Sequence, residues 1–340
     1  MDAAAKKILI DLKAGKYAPV YTLQGEETYY IDLISNYIET YALSESEKSF
    51  NQVIVYGRDS LVHTILTHAR RFPMMAERQV VVVREAQDIP DLQKEIGAKL
   101  MLDYISRPVP STVLVLCHKH KTLDKRRELG KKIEQLTISA TFKRPYENQL
   151  PDFVLALIKD RGAKIDDAGV RVLCEYIGND LSRLSNEIDK VLIDATPGET
   201  ISAEKVMTKV GVSKEYNIFE LQKALIQKDI LFASKIVNYF ESNTKKNPMI
   251  PMIAFLYSFF SKLLIAAAAM DKSERGLVTA LKISPFAAKD YTNALQRYSP
   301  AKIVENVSLI KNTDLKLKGV NSGSESDGQI LKELVFRLMF

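Results

Sequence analysis

Two uninterrupted apolar runs constrain this chain most: Val80-Val81-Val82-Val83 and Val113-Leu114-Val115-Leu116. A strand with one wet face alternates apolar and polar residues. A strand with no polar residue on either side is covered on both faces, as parallel strands between helical layers are. Helical spacing surrounds the two runs. Residues 4–14 read as a helix stopped by Gly15, and Pro19 to Leu23 as a strand ending at Gly25. Tyr30, Leu33, Ile34, Tyr37, Ile38 and Tyr41 then recur at helical spacing. Val53 to Tyr56 reads as a short buried strand ending at Gly57, Leu61, Ile65, Leu66 and Ala69 as a helix face, and Leu92 to Ile105 as a helix. The alternation predicts an α/β domain over residues 1–143 built on a parallel sheet with helices on both sides.

From about Arg144 the pattern becomes helix after helix. Gly178-Asn179-Asp180 ends one helix and caps the next, whose buried face is Leu181, Leu184, Ile188, Val191 and Leu192. Gly198 and Gly211 bracket a last short helix of a small helical domain, residues 144–211. Residues 212–340 carry no strand pattern and read as a separate all-α domain. There Ser284-Pro285 and Ser299-Pro300 each set a capping Ser before a Pro at the first helical position. Gly319 to Gly328 has the composition of a flexible loop, followed by an amphipathic helix from about Gln329.

With 48 basic and 42 acidic residues the net charge is +6, a surplus that permits polyanion contact without establishing it. The surplus falls in the first and last domains; the middle one is acidic. Two cysteines, Cys117 and Cys174, give no disulfide framework and fit a reducing cytoplasm. No secretory leader is read at Met1 to Lys7. Ile250 to Met270 is long and apolar enough to span a bilayer, but Lys262 lies mid-segment and Pro251, Ser258 and Ser261 interrupt it, so a core helix is expected and no membrane contact.

The αβα pattern invites a search for nucleotide machinery. A phosphate loop needs glycines whose backbone N–H groups wrap phosphates, a Lys for the terminal phosphates and a Ser or Thr for magnesium. The first strand-to-helix turn reads Gln24-Gly25-Glu26-Glu27-Thr28; the second Gly, the Lys and the following Ser/Thr are absent, and Glu26 and Glu27 place negative charge where phosphates would sit. Val113 to Leu116 leads into Cys117-His118 rather than an acidic pair, and Glu85 after Val83 stands alone. Gly25, Glu26 and Glu27 are therefore read as a degenerate, non-binding phosphate loop, with no ATP hydrolysis and no cofactor expected. Cys117, His118 and His120 are too tightly spaced for a zinc site, His63 and His68 lie five apart on a helix, and Asp166-Asp167 suits a helix start, so no metal site is expected. No catalytic triad stands out.

Two segments remain. Lys119 to Lys132 holds seven Lys or Arg in fourteen residues, offset by Asp124 and Glu128. A solvated helix face is the plainer reading; phosphate contact by Lys121, Lys125, Arg126 and Arg127 is the sharper one. Ala69 to Gln79 places Phe72, Met74 and Met75 beside Pro73 and between charges. Pattern alone favours interior packing there, yet adjacent apolar side chains on a turn also suit a partner's apolar groove, and Met adapts to such grooves.

Taken together, five segments in order resemble the delta-subunit family of bacterial DNA polymerase III clamp loaders. They are Pro19 to Glu27, Ala69 to Val82, Gly178 to Ile188, Tyr216 to Leu221 and Asp314 to Lys318. The resemblance implies an AAA+-like first domain with a degenerate phosphate loop, a small helical domain and an all-α collar that joins loader subunits. It implies a non-catalytic subunit of a DNA-directed DNA polymerase assembly, which binds the sliding clamp (the beta subunit) and favours opening of one ring interface. Its further partners would be the gamma/tau ATPase subunits, delta-prime and, within the assembled loader, primer–template DNA. The family commonly presents Leu-Phe to the clamp; Met74 and Met75 stand at those positions here, with Phe72 nearby. Two other readings compete: an atypical nucleotide-dependent AAA+-like enzyme, and a stand-alone DNA-binding module.

Overall fold

The structure, a computed structural model, describes residues 2–196, 199–210, 216–244, 248–320 and 326–340. The chain divides into two compact units, Met1–Pro145 and Tyr146–Phe340. In chain order the first holds α1 (Ala3–Lys13), β1 (Val20–Gly25), α2 (Thr28–Tyr41), α3 (Glu45–Asn51), β2 (Gln52–Tyr56), α4 (Val62–Ala69), β3 (Gln79–Arg84), α5 (Glu95–Ser106), β4 (Thr112–Lys119), α6 (Glu128–Leu136) and β5 (Ile138–Phe142). The strands form one parallel sheet in the order β2-β3-β4-β1-β5.

The two apolar runs become β3 and β4, adjacent and paired Val80 to Val113 through Val83 to Leu116. Both faces are buried. Val81, Val83, Leu114 and Leu116 pack with Ile65 and Leu66 of α4 and with Met101 and Tyr104 of α5. Four expectations need correction, the first being that Leu61 shares the buried face of α4: it precedes that helix and is exposed. Val53 to Tyr56 is not a buried strand: β2 lies at the sheet edge, and Ile54 and Tyr56 are 43% and 54% exposed because no further strand or helix covers them. Tyr41, on the last turn of α2, points to solvent rather than to the core. The helix read from Leu92 begins only at Glu95, after a short 3-10 turn at Ala86–Asp88. The sequence reading also passed over α3 and β5; β5 escapes it because an edge strand with alternating burial has no continuous apolar run.

The second unit holds α7 (Leu150–Asp160), β6 (Lys164–Ile165), α8 (Asp167–Ile177), α9 (Leu181–Ile193), β7 (Thr200–Ile201), α10 (Ala203–Val210), α11 (Ile218–Gln227), α12 (Ile230–Ser242), α13 (Met249–Ala268), α14 (Glu274–Leu281), α15 (Pro285–Arg297), α16 (Pro300–Leu317) and α17 (Asp327–Met339). The two-residue parallel pair β6–β7 interrupts a region read as helical throughout. Caps fall where local chemistry places them. The Asp180 side chain accepts the Arg183 N–H, Ser284 that of Phe286 and Ser299 that of Lys302. α17 starts two residues earlier than expected, capped by Ser326. Gly198, Gly211 and the middle of the 319–328 loop lie outside the described residues.

Among the described residues α13 alone is long and apolar enough to cross a bilayer. Its Met252, Ile253, Leu256, Phe260 and Leu263 lie in the core with residues of α12, α15, α16 and α17. Phe260 meets Tyr298 edge to face at 5.6 Å between ring centroids. Lys262, the charge that broke the apolar run, pairs with Glu147 at 2.5 Å. This is the core-helix arrangement expected from the sequence.

Candidate functional site

α4 ends at Ala69, and the chain then leaves the body of the domain until β3 begins at Gln79. Within that excursion Phe72 is 83% exposed, Met74 61% and Met75 fully exposed. Interior packing, the reading that pattern alone favoured, is therefore overturned: helix α4 has already ended, and the turn carries these side chains past the core. Met75 also adopts φ +53°, a left-handed conformation uncommon for a residue with a Cβ.

The turn is tied down by polar groups that the sequence reading did not single out. Asn51, the last residue of α3, accepts the Met74 N–H through Oδ1 at 2.6 Å and donates Nδ2 to the Met74 carbonyl at 2.9 Å. Gln79, buried at the base, places Nε2 2.5 Å from the Arg71 carbonyl and 2.8 Å from Thr112 Oγ1. Arg78 lies over the Tyr17 ring at 4.6 Å. The Asn51–Met74 pair spans 23 residues, and no local pattern announces it.

The Gln24–Thr28 turn, read from the sequence as a degenerate phosphate loop, lies at the carboxyl ends of β1 and β4, between strands whose connections leave in opposite directions, which is where open α/β sheets bind ligands. Here protein groups fill the place. Gly25 sits at φ +129°, and a Cβ there would lie 2.1 Å from the Phe142 carbonyl oxygen, so close approach to β5 accounts for this glycine. The Gly25 carbonyl accepts the His120 N–H at 2.9 Å, and the Glu27 N–H donates to the Phe142 carbonyl at 3.2 Å. Glu27 is buried and its carboxylate accepts the Tyr29 N–H at the start of α2, where a helix dipole would otherwise favour a bound anion; Glu26 faces solvent. Lys119, at the end of β4, is 2.7 Å from Asp32 and 3.8 Å from Glu85.

Cys117 is buried in β4, and burial pushes its thiol up to about 12. His118 is also buried, holds Nδ1 2.9 Å from the Lys121 carbonyl, and burial moves its pKa below the ordinary imidazole value. Among the described residues no group of three or more His, Cys, Asp or Glu could hold a metal ion.

The basic run is only partly helical. Residues 120–127 precede α6, and intramolecular partners occupy much of the charge: Lys125 pairs with Glu134 at 2.5 Å, Arg126 with Asp124 at 2.9 Å, and Arg127 donates to the Gln93 carbonyl at 3.2 Å. The Arg126 guanidinium holds the Asp124 carboxyl down at about 2. Lys121, Lys131 and Lys132 are exposed. A cleft of about 550 Å³ between α5 and α6 mixes Lys99, Arg127 and Lys132 with Asp103, Asp124 and Glu128, and so has no single-sign field.

Residues 21–143 match the family model described as DNA polymerase III, delta subunit. Over 329 residues, 95% of this chain and 93% of the relative, it is 24% identical to DNA polymerase III subunit delta of Bacillus subtilis. A probable delta subunit of Aquifex aeolicus is 24% identical over 230 residues, 64% of this chain and 63% of the relative. The solved structure of the Bacillus subtilis DNA clamp loader delta protein superposes with a TM-score of 0.63 at 22% identity, covering 98% of this chain and 99% of that one. The delta-family match spans the whole α/β sheet apart from Val20, and so includes both the Gln24–Thr28 turn and the Met74–Met75 turn.

Proposed function

We propose that this chain is the delta subunit of a DNA polymerase III clamp loader, and that it binds the sliding clamp by inserting Met74 and Met75, flanked by Phe72, into an apolar groove of the ring. The observation that carries the reading is an exposed apolar pair on a turn held by buried amides, in a chain similar to delta subunits over nearly its full length. Burying two Met side chains stabilises a complex by roughly 3–6 kcal/mol before association costs. A ligand shifts an equilibrium only through unequal affinity for its two states, so ring opening follows if the turn fits the open interface better than the closed one.

The subunit itself burns no nucleotide in this proposal. Glu27 at the α2 N-terminus and the engagement of Lys119 by Asp32 support that reading over an atypical AAA+-like enzyme. Control of access to the clamp falls to the gamma/tau ATPases and delta-prime, which this subunit joins in the cytoplasm. Residues 144–211 serve as the small helical domain and 212–340 as the collar. Lys121, Lys125, Arg126 and Arg127 meet primer–template phosphates only in the assembled loader, and the internal pairing of Lys125 and Arg126 supports that over a stand-alone DNA-binding module. The test is surface plasmon resonance between the full chain and the sliding clamp of the same organism. Saturable binding at micromolar or lower concentration is expected; no binding at tens of micromolar overturns the proposal.

A further inference from the structure

We propose that Asn51 and Gln79 are positioning residues that hold the apolar turn in its binding shape before the partner arrives. The inference rests on the clamp-binding reading of Met74 and Met75 and deepens it.

Asn51 is buried, and both polar atoms of its carboxamide serve Met74, one accepting the N–H and the other donating to the carbonyl. This reproduces one rung of a β-ladder without a strand and fixes the backbone immediately before Met75, the residue at φ +53°. Gln79 closes the base of the same excursion on the Arg71 carbonyl and Thr112 Oγ1. The segment is thus tied at its start, middle and end. Its apolar side chains contribute little to the core, because Phe72, Met74 and Met75 all face solvent. Ordering it costs conformational entropy that folding of the domain does not recover there. A partner that receives the turn already ordered is spared that cost, which raises affinity without any added contact.

The experiment uses the full chain, Asn51→Ala and Asn51→Asp. It measures clamp affinity by surface plasmon resonance and amide exchange over residues 70–78 by mass spectrometry. Asn51→Ala removes both bonds to Met74 and is expected to speed exchange across the turn and to weaken clamp binding about tenfold, although Phe72, Met74 and Met75 are all retained. Asn51→Asp keeps the acceptor for the Met74 N–H but turns a carboxylate oxygen toward the Met74 carbonyl, and is expected to loosen the turn and weaken binding at least as much as Asn51→Ala. Where Asn51→Ala does not fold, the near-isosteric Asp variant carries the comparison. A residue of purely structural importance would lower the unfolding midpoint and leave affinity unchanged, which overturns the inference, as does unaltered exchange over the turn. If Met74→Ala with Met75→Ala binds the clamp as the parent chain does, the clamp-binding reading itself has failed; if that variant loses binding while Asn51→Ala keeps it, only the positioning role has.

Discussion

The Glu27 carboxylate accepts the backbone N–H of Tyr29 at 2.9 Å, so the first turn of α2 carries its own anion. In a phosphate-binding αβα domain that place at a helix N-terminus is left for the ligand. Isothermal titration of the chain with magnesium and ATP is therefore expected to give no binding in the micromolar range. A saturable, magnesium-dependent heat at such concentrations would restore the nucleotide-dependent enzyme as the better account.

Met74→Ala combined with Met75→Ala removes side chains that stand in solvent. Clamp affinity is expected to fall roughly a hundredfold or more, the scale of two hot-spot truncations. Stability should change by no more than about 0.5 kcal/mol, as exposed substitutions usually do. Surface plasmon resonance and urea unfolding check the two halves of this expectation.

His118 links stability to pH. Burial holds its folded-state pKa below the ordinary value of 6.5, so the unfolded chain takes up a proton that the folded chain refuses. Stability is then unaffected by this group at higher pH and declines as pH falls below about 6.5. Urea midpoints measured between about pH 5 and 7 should slope downward toward acid, and His118→Gln should flatten that slope. An identical slope in the variant would assign the dependence to other groups.

Phe260 sits in the centre of the second unit against Tyr298, with no exposed surface. Phe260→Ala leaves a cavity and is expected to cost about 3–5 kcal/mol. Because a chain of two units need not unfold in one step, the readout is the transition assigned to the helical unit, followed by calorimetry. A shift below about 1 kcal/mol would mean that α13 is not the keystone of that core.

The sequence by itself determined what depends on neighbours along the chain. The Val80–Val83 and Val113–Leu116 runs dictated strands covered on both sides, and Asp180, Ser284 and Ser299 marked helix starts, while pattern alone favoured interior packing for Met74 and Met75 beside Pro73. Each signal is local, because helical period, strand alternation and capping act within a few residues. Tertiary structure decided what depends on distant partners. It placed β2 at an edge and so exposed Ile54 and Tyr56, added β5 beside β1, and made Gly25 a contact with Phe142. It also set Lys125 against Glu134, and tied Met74 to Asn51 across 23 residues. Strand order and long-range hydrogen bonds follow from which surfaces meet when layers pack, and a spacing rule that reaches one or two turns carries no information about that.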